Sequence, residues 1–202
     1  MSRTVGESIK LNTSRGPVAV RHVRVDEKEG VCLIGKNSVL PEVPFPLRVQ
    51  SSCLFGESFW ATDCDCAWQL QESLSFIIGH GGMVIYFYEE GRGAGLEKKI
   101  EAIRLQQTAK MSTTQAYACL QLEPDVRNYQ AVGYIVEAIL GLHRSVSLFT
   151  NDPRKERLIR AAGVNVVERK PLIYNKDNPA VKHYLKEKAA LLGHDIDFGP
   201  GG

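Results

Sequence analysis

The chain has 202 residues, 44% hydrophobic and 24% charged, with a mean hydropathy of -0.17. That is the composition of a globular domain able to bury roughly 70% of its unfolded surface, and it excludes disorder. Twenty-five Lys and Arg against 23 Asp and Glu leave a net charge of only +2, so no general footprint for nucleic acid or an anionic membrane is expected, and any bound anion must be held locally. The longest purely apolar run, Met83 to Tyr88, is far short of the ~20 residues that cross a bilayer.

Met1 to Ser8 lacks the apolar stretch of a secretory signal, which predicts a cytoplasmic protein with reduced thiols. From Pro17 to Phe59, short β-prone runs (Val18 to Val20, Val31 to Ile34, Leu47 to Val49) alternate with Gly, Pro and Asn breaks, the pattern of an antiparallel β region. From Cys66 helical periodicity takes over, with Leu70, Leu74, Ile77 and Ile78 on one face and Gly79 to Gly82 as the stop before a strand over Met83 to Tyr88. Leu96, Ile100 and Ile103 mark the next helix; Val132, Ile135, Ile139 and Leu142 mark a clearer one before the strand Ser145 to Phe149. Asp152-Pro153 caps a helix running to about Ala162, Gly163 ends it, and Val164 to Val167 reads as a strand. A last helix covers about Ala180 to Leu192, and the tail 198–202 is expected to fray. The fold class is α/β in a mixed α+β form: an N-terminal antiparallel β region, then a layered core with helices on a mixed sheet, in one domain over 1–202.

Three of the five cysteines cluster as Cys53, Cys64 and Cys66, a C-x10-C-x-C spacing. A strand end and a helix start can thereby set three thiolates around one tetrahedral ion, and zinc is the natural guest. Spacing alone leaves two outcomes open: a closed structural site with Asp63, Asp65 or His80 as fourth ligand, or an open site whose fourth position holds water. Three thiolates also blunt the Lewis acidity of their metal. The turn Glu89 to Leu96 carries Gly91, Gly93 and Gly95 around Arg92, so backbone N–H groups can approach an anion beside a fixed charge, although tight geometry alone would also explain the glycines. Thr150 to Lys155 runs a strand into a helix N-terminus flanked by a hydroxyl and two cations, either an ordinary cap or a phosphate site.

At Arg48-Val49-Gln50-Ser51-Ser52-Cys53 the chain resembles GTP cyclohydrolase II, the zinc enzyme that opens the guanine imidazole ring at the start of riboflavin synthesis. The resemblance continues in Cys64-Asp65-Cys66, Gln69-Leu70, Glu90 to Gly93, Thr150 to Lys155, Val167 to Leu172, His183 to Lys188 and Leu192 to His194, and covers roughly 48–194. It implies that Cys53, Cys64 and Cys66 ligate one zinc ion with a water attacking C8, and that Gln69 reads the base edge. It further implies that Arg48, Val49, Gln50, Ser51, Ser52, Glu90, Gly91, Arg92, Thr113, Thr150 and Lys155 contact the nucleotide. Asp125 and Arg127 match the family's acid/base and arginine pair and would serve pyrophosphate release. Mg²⁺ would accompany the triphosphate, and the assembly implied is a homodimer.

The chain departs from that pattern. Asp63 and Ala67 stand where the family has Arg and Gly; Gln50 and Ser52 replace His and Glu; Tyr117 replaces Asn and Gln121 replaces Gly; Ile103 occupies the place of a catalytic tyrosine. The expectation is a divergent member that opens the ring of GTP, releases pyrophosphate and stops at the formamidopyrimidine nucleotide. The alternatives are a ring-opening hydrolase for another nucleotide, such as a pyrimidine, and a non-catalytic zinc and nucleotide-binding protein.

Overall fold

The computed structural model describes residues 2–36, 44–142, 144–174 and 178–194; the tail 198–202 lies outside them. Val- and Ile-rich runs form β1 (Arg3–Val5), β2 (Ile9–Thr13), β3 (Gly16–Val25), β4 (Lys28–Ile34) and β5 (Phe45–Ser51). Then follow α1 (Leu54–Ser58), α2 (Cys66–His80), β6 (Met83–Phe87), a 3-10 turn at Gly91–Gly93, α3 (Gly95–Ala109) and α4 (Thr113–Cys119). The last described elements are α5 (Gln130–Leu140), β7 (Val146–Phe149), α6 (Pro153–Ala161), β8 (Val166–Lys170) and α7 (Pro179–Leu192).

The strands form one 8-stranded sheet, ordered β1-β3-β4-β6-β5-β7-β8, with β2 also pairing β3. Pairing is antiparallel from β1 to β6 and parallel from β6 through β8, so the fold is α/β with a mixed sheet, as the pattern predicts. One element differs. The antiparallel region ends at β4, because β5 runs parallel to both β6 and β7. The helices α1 and α2 between β5 and β6 return the chain to its starting end, as a parallel pair requires. Leu47, Arg48, Val49 and Gln50 of β5 are all buried, as in a strand covered on both faces.

The core joins β5, β6 and β7 to α5, with Leu47, Ile85, Leu148, Val132 and Ile135 fully buried in one cluster. Each contributes about 1.5–3 kcal/mol relative to exposure. Leu142, predicted to continue the α5 face, lies beyond the helix and is 69% exposed, because Gly141 takes φ +85 and ends the helix. In α3, Ile100 points outward and is 50% exposed; the face that matters there is a different one, described below. The strand expected over Val164 to Val167 starts at Val166 and continues through Glu168, Arg169 and Lys170, which pair with Ser147 to Phe149. An edge strand tolerates that polarity, and a scan for apolar runs misses it.

Candidate active site

The strand β5 lies between its two parallel neighbours, so the connections from it reach β6 on one side and later β7 on the other. In open α/β sheets a crevice forms at such a switch point, beyond the carboxyl ends of the strands. Here residues at and after the ends of β5 (Ser51 to Cys53), β6 (Glu89, Gly91 and Arg92) and β7 (Thr150 to Asp152) line one cavity of about 370 Å³. Helix α3 roofs it with Lys99, Ala102, Ile103 and Gln106, spaced i, i+3, i+4 and i+7 on one helix face.

At one end lie the thiols. The Sγ atoms of Cys53, Cys64 and Cys66 fall within 4.8 Å of one another, the group among the described residues best arranged to hold a metal ion. Asp63 lines the cavity beside them, Asp65 is buried and accepts from Gln69 Nε2 at 2.5 Å, and His80 stacks on Phe76 at the other end of α2. A Cβ on Gly56 would stand 2.8 Å from the Cys64 sulfur, so the cluster depends on a glycine in α1. Hydrogen bonds from Cys64 and Cys66 pull the Cys53 thiol well below its ordinary value, and the same bond to Cys53 pushes Cys64 up to about 11. The group shares its protons around one favoured thiolate. Behind it, Glu57 accepts from Cys53 N, Gln50 Nε2 and Tyr86 Oη, and burial raises its carboxyl despite these donors.

At the other end cations dominate. Arg48 donates to Gln50 Oε1, to Gln69 Oε1 at 2.5 Å and to the Phe149 carbonyl; burial lowers its guanidinium to about 10. Arg127 forms a two-point bond to Asp125, Nε at 2.9 Å and Nη2 at 2.5 Å, and Arg154 meets the same carboxylate at 3.4 Å. Burial opposes the charge on both partners of that pair, yet their mutual bonds win: Asp125 is lowered and Arg127 raised. Lys155 is buried, donates to the Val49 carbonyl at 3.1 Å and sits 5.4 Å from the centre of the Tyr129 ring. Its burial, with Arg48 and Arg127 nearby, pulls it well below the usual lysine value. The buried Tyr129 hydroxyl has no hydrogen-bond partner among the described residues.

The cavity brings together Arg48, Gln50, Ser51, Ser52, Gln69, Gly91, Arg92, Thr113, Thr150, Lys155 and Arg127 with the three cysteines. Val49, Glu90 and Asp125 do not line it. Val49 is a core residue reached only through its carbonyl; Asp125 stands behind Arg127; Glu90 accepts from Leu54 N and from Lys99. Lys99, Gln106 and Tyr184 line the cavity without having been singled out. The α3 pair Lys99 and Gln106 had a signal in their seven-residue spacing with Ile103 between them, and α4 had one in Ser112-Thr113-Thr114-Gln115, a capping box that the structure forms.

Comparison with known proteins gives the family. A profile described as GTP cyclohydrolase II matches residues 4–171. The GTP cyclohydrolase-2 of Campylobacter hominis is 36% identical over 197 residues, 98% of this chain and 97% of that protein. The chain belongs to the GTP cyclohydrolase II family. The GTP cyclohydrolase-2 of Neisseria meningitidis serogroup A is 41% identical over 152 residues, and that of Proteus mirabilis 40%, each alignment covering 75% of this chain. They cover 75% and 74% of those proteins respectively. The family match reaches β1 and β2, where the motifs above say little. Among solved structures, RibBX of A. baumannii, a two domain 3,4-dihydroxy-2-butanone 4-phosphate synthase, aligns over 85% of this chain at 11% identity and TM-score 0.44. This chain spans 40% of that one. Among the described residues no helix is long and apolar enough to cross a membrane.

Proposed function

We propose that this protein hydrolyses the imidazole ring of GTP and releases pyrophosphate. The observation that carries the proposal is a single cavity with three clustered thiols at one end and buried cations at the other. The donor set fits zinc: thiolates at about 2.3 Å on a tetrahedron stand roughly 3.8 Å apart, and Cys53 Sγ lies 3.9 Å from Cys64 Sγ. Zinc held by Cys53, Cys64 and Cys66 would supply a polarised water for attack on the imidazole carbon.

The rest is the work of the chain's own groups. Gln69, fixed by Arg48 and Asp65, faces the base. Arg48, Gln50, Ser51, Ser52, Gly91, Arg92, Thr113 and Thr150 surround the nucleotide, with Val49 and Glu90 supporting from behind. Arg127 and Lys155 receive the phosphates, whose charge Mg²⁺ would help to neutralise. Asp125 fixes the planar fork of Arg127 and keeps it charged, so Arg127 stabilises the charge that develops as water attacks the α-phosphorus and pyrophosphate leaves, rather than attacking phosphorus itself. Ile103 faces the cavity with a hydrocarbon that can neither donate nor relay a proton, and Arg104 on the exposed side of α3 does not line it. The reaction then stops at the formamidopyrimidine nucleotide. We place the enzyme in the cytoplasm, where its five cysteines, none of them in a disulfide, stay reduced, as a homodimer of single-domain chains.

The test is incubation of the reduced, zinc-loaded protein with GTP and Mg²⁺ and mass detection of every product. Pyrophosphate and the formamidopyrimidine nucleotide are expected, with little formate, and Ile103→Tyr should restore formate. Formate equal to pyrophosphate from the unmodified protein removes the Ile103 argument. Turnover of a pyrimidine nucleotide instead of GTP replaces the substrate, and tight GTP binding without turnover makes the protein a binder.

A further inference from the structure

The environment of Cys53 answers a difficulty that its chemistry raises. Three thiolates donate so much charge that an ion held by them makes a weak Lewis acid. In α3, Lys99 directs Nζ to Cys53 Sγ at 3.3 Å and to Glu90 Oε2 at 2.8 Å, with the ammonium 4.9 Å from the centre of the Phe55 ring. Glu90 in turn accepts from Leu54 N, and Glu57 accepts from Cys53 N. Cys53 is therefore gripped at its sulfur and at the peptide groups on both sides of it.

Space has been kept for the lysine. Gly91 has φ +59, and a Cβ there would lie 3.2 Å from Lys99 Cβ. The turn that carries Glu90 thus packs directly on the stem of Lys99.

We propose that Lys99 is a positioning residue of the metal site: its N–H···S bond draws electron density from the Cys53 sulfur and restores electrophilicity that three thiolates would remove. This rests on the metal reading of the cluster. Hydrogen bonds to sulfur ligands are a recognised lever on a bound ion, and loss of such outer partners commonly costs about 10–100-fold in activity or affinity. The Glu90 partner holds the ammonium in place without reaching the metal ligands itself, so the pair acts through Cys53.

The experiment uses the full chain loaded with cobalt(II) in place of zinc, in the unmodified protein and in Lys99→Met, Lys99→Leu and Lys99→Arg. Cobalt reports its thiolate ligands through sulfur-to-metal charge-transfer absorption, which moves to longer wavelength as a thiolate becomes more electron-rich. The two apolar variants should shift the band to longer wavelength, and Lys99→Arg should return it toward the original position. With zinc, kcat of the apolar variants should fall about tenfold or more, while KM stays within about threefold. A charge-transfer band at the same wavelength in the folded apolar variants overturns the role of Lys99 and leaves the metal reading intact. Absence of any thiolate-to-cobalt band in the unmodified protein overturns the metal reading and this proposal with it.

Discussion

The two ends of the cavity solve opposite problems. At the thiol end the ligands are potential anions, and the protein sets an ammonium against them: Lys99 bonds the Cys53 sulfur, while Glu57 and Glu90 accept from the peptide N–H groups on either side of Cys53 and hold it in place. At the other end the groups are cations, and the protein leaves them short of carboxylates. Arg127 and Arg154 share Asp125, while Lys155 donates to a carbonyl and lies over an aromatic face with no carboxylate in hydrogen-bond contact among the described residues. A soft cation would complete the first set and a polyanion the second. Each end is electrostatically unfinished in the sense its ligand would correct, and the ends should therefore fail separately.

Cys66→Ser gives the largest effect. With one thiolate of three removed, zinc content should fall to near zero and ring opening should be lost, while pyrophosphate, which needs only the cation end, should bind with its affinity unchanged. Metal analysis and calorimetric titration with pyrophosphate measure the two ends independently. A zinc-free Cys66→Ser protein that still opens the ring at the original rate would break the assignment of the thiol end. Arg127→Ala should do the reverse, leaving zinc content intact and slowing pyrophosphate release by ~10²-fold or more. Arg127→Lys should not rescue it, since a point charge cannot reproduce the two-point bond to Asp125.

The thiol end was legible in the sequence because its donors are rare residues at a telling spacing, but what tunes it was not. Lys99, Glu57 and Gly56 act on Cys53 and Cys64 from α3 and α1, and nothing in the local sequence links a lysine to a sulfur 46 positions away. The cation end was legible in part: the Arg92 turn and the helix start at Lys155 read either as anion sites or as ordinary turns, while Arg48 in a strand and Arg127 in a loop followed only from the resemblance. Of the fold, α2, β6, α3, α5 and β7 followed from periodicity and α6 from its Asp-Pro cap, whereas α4 was not foreseen. What periodicity could not supply was direction: β5 has the same residues whether its neighbours run with or against it, and only the crossover through α1 and α2 decides. The apolar spacing of α3 misled for a related reason. Ile100 faces outward because the inward face of that helix serves a polar cavity, and Lys99 and Gln106 occupy it.

Lys155→Met sharpens the contrast by trading stability against binding. The folded protein holds this amine below the free-lysine value near 10.5, so between the lowered value and 10.5 the unfolded chain binds more protons and stability rises with pH. Burying the charge therefore costs most at low pH. The methionine variant should be more stable than the parent by about 1–3 kcal/mol in that range, with the gain fading as pH approaches 10.5, and its affinity for pyrophosphate should fall about tenfold or more. Thermal melts at several pH values and a binding titration check both. A variant that melts lower than the parent at every pH would mean that Lys155 stabilises the fold, and the cation end would no longer differ in kind from the thiol end.

The smallest effect concerns the turn that joins the two ends. Arg92 has a left-handed backbone, φ 54, held between Gly91 and Gly93, and such a conformation costs a non-glycine residue on the order of 1 kcal/mol. Tyr117 supports it twice: its hydroxyl donates to the Gly91 carbonyl at 2.9 Å, and its ring lies 5.8 Å from the Arg92 guanidinium. Tyr117→Phe keeps the ring and removes one of two donors to the Gly91 carbonyl, which still accepts from Ala94 N at 3.0 Å, at a cost of about 0.5–1.5 kcal/mol, which lowers the melting temperature by roughly 1–6 °C in a chain of this size. If the bond also aims Arg92 at the nucleotide, KM for GTP should rise a few-fold with kcat unchanged. Tyr117→Leu should add to both effects by removing the ring beneath the guanidinium. A Phe variant with the expected loss of melting temperature but the parent's KM would confine Tyr117 to holding the turn, and would show that Arg92 keeps its aim without it.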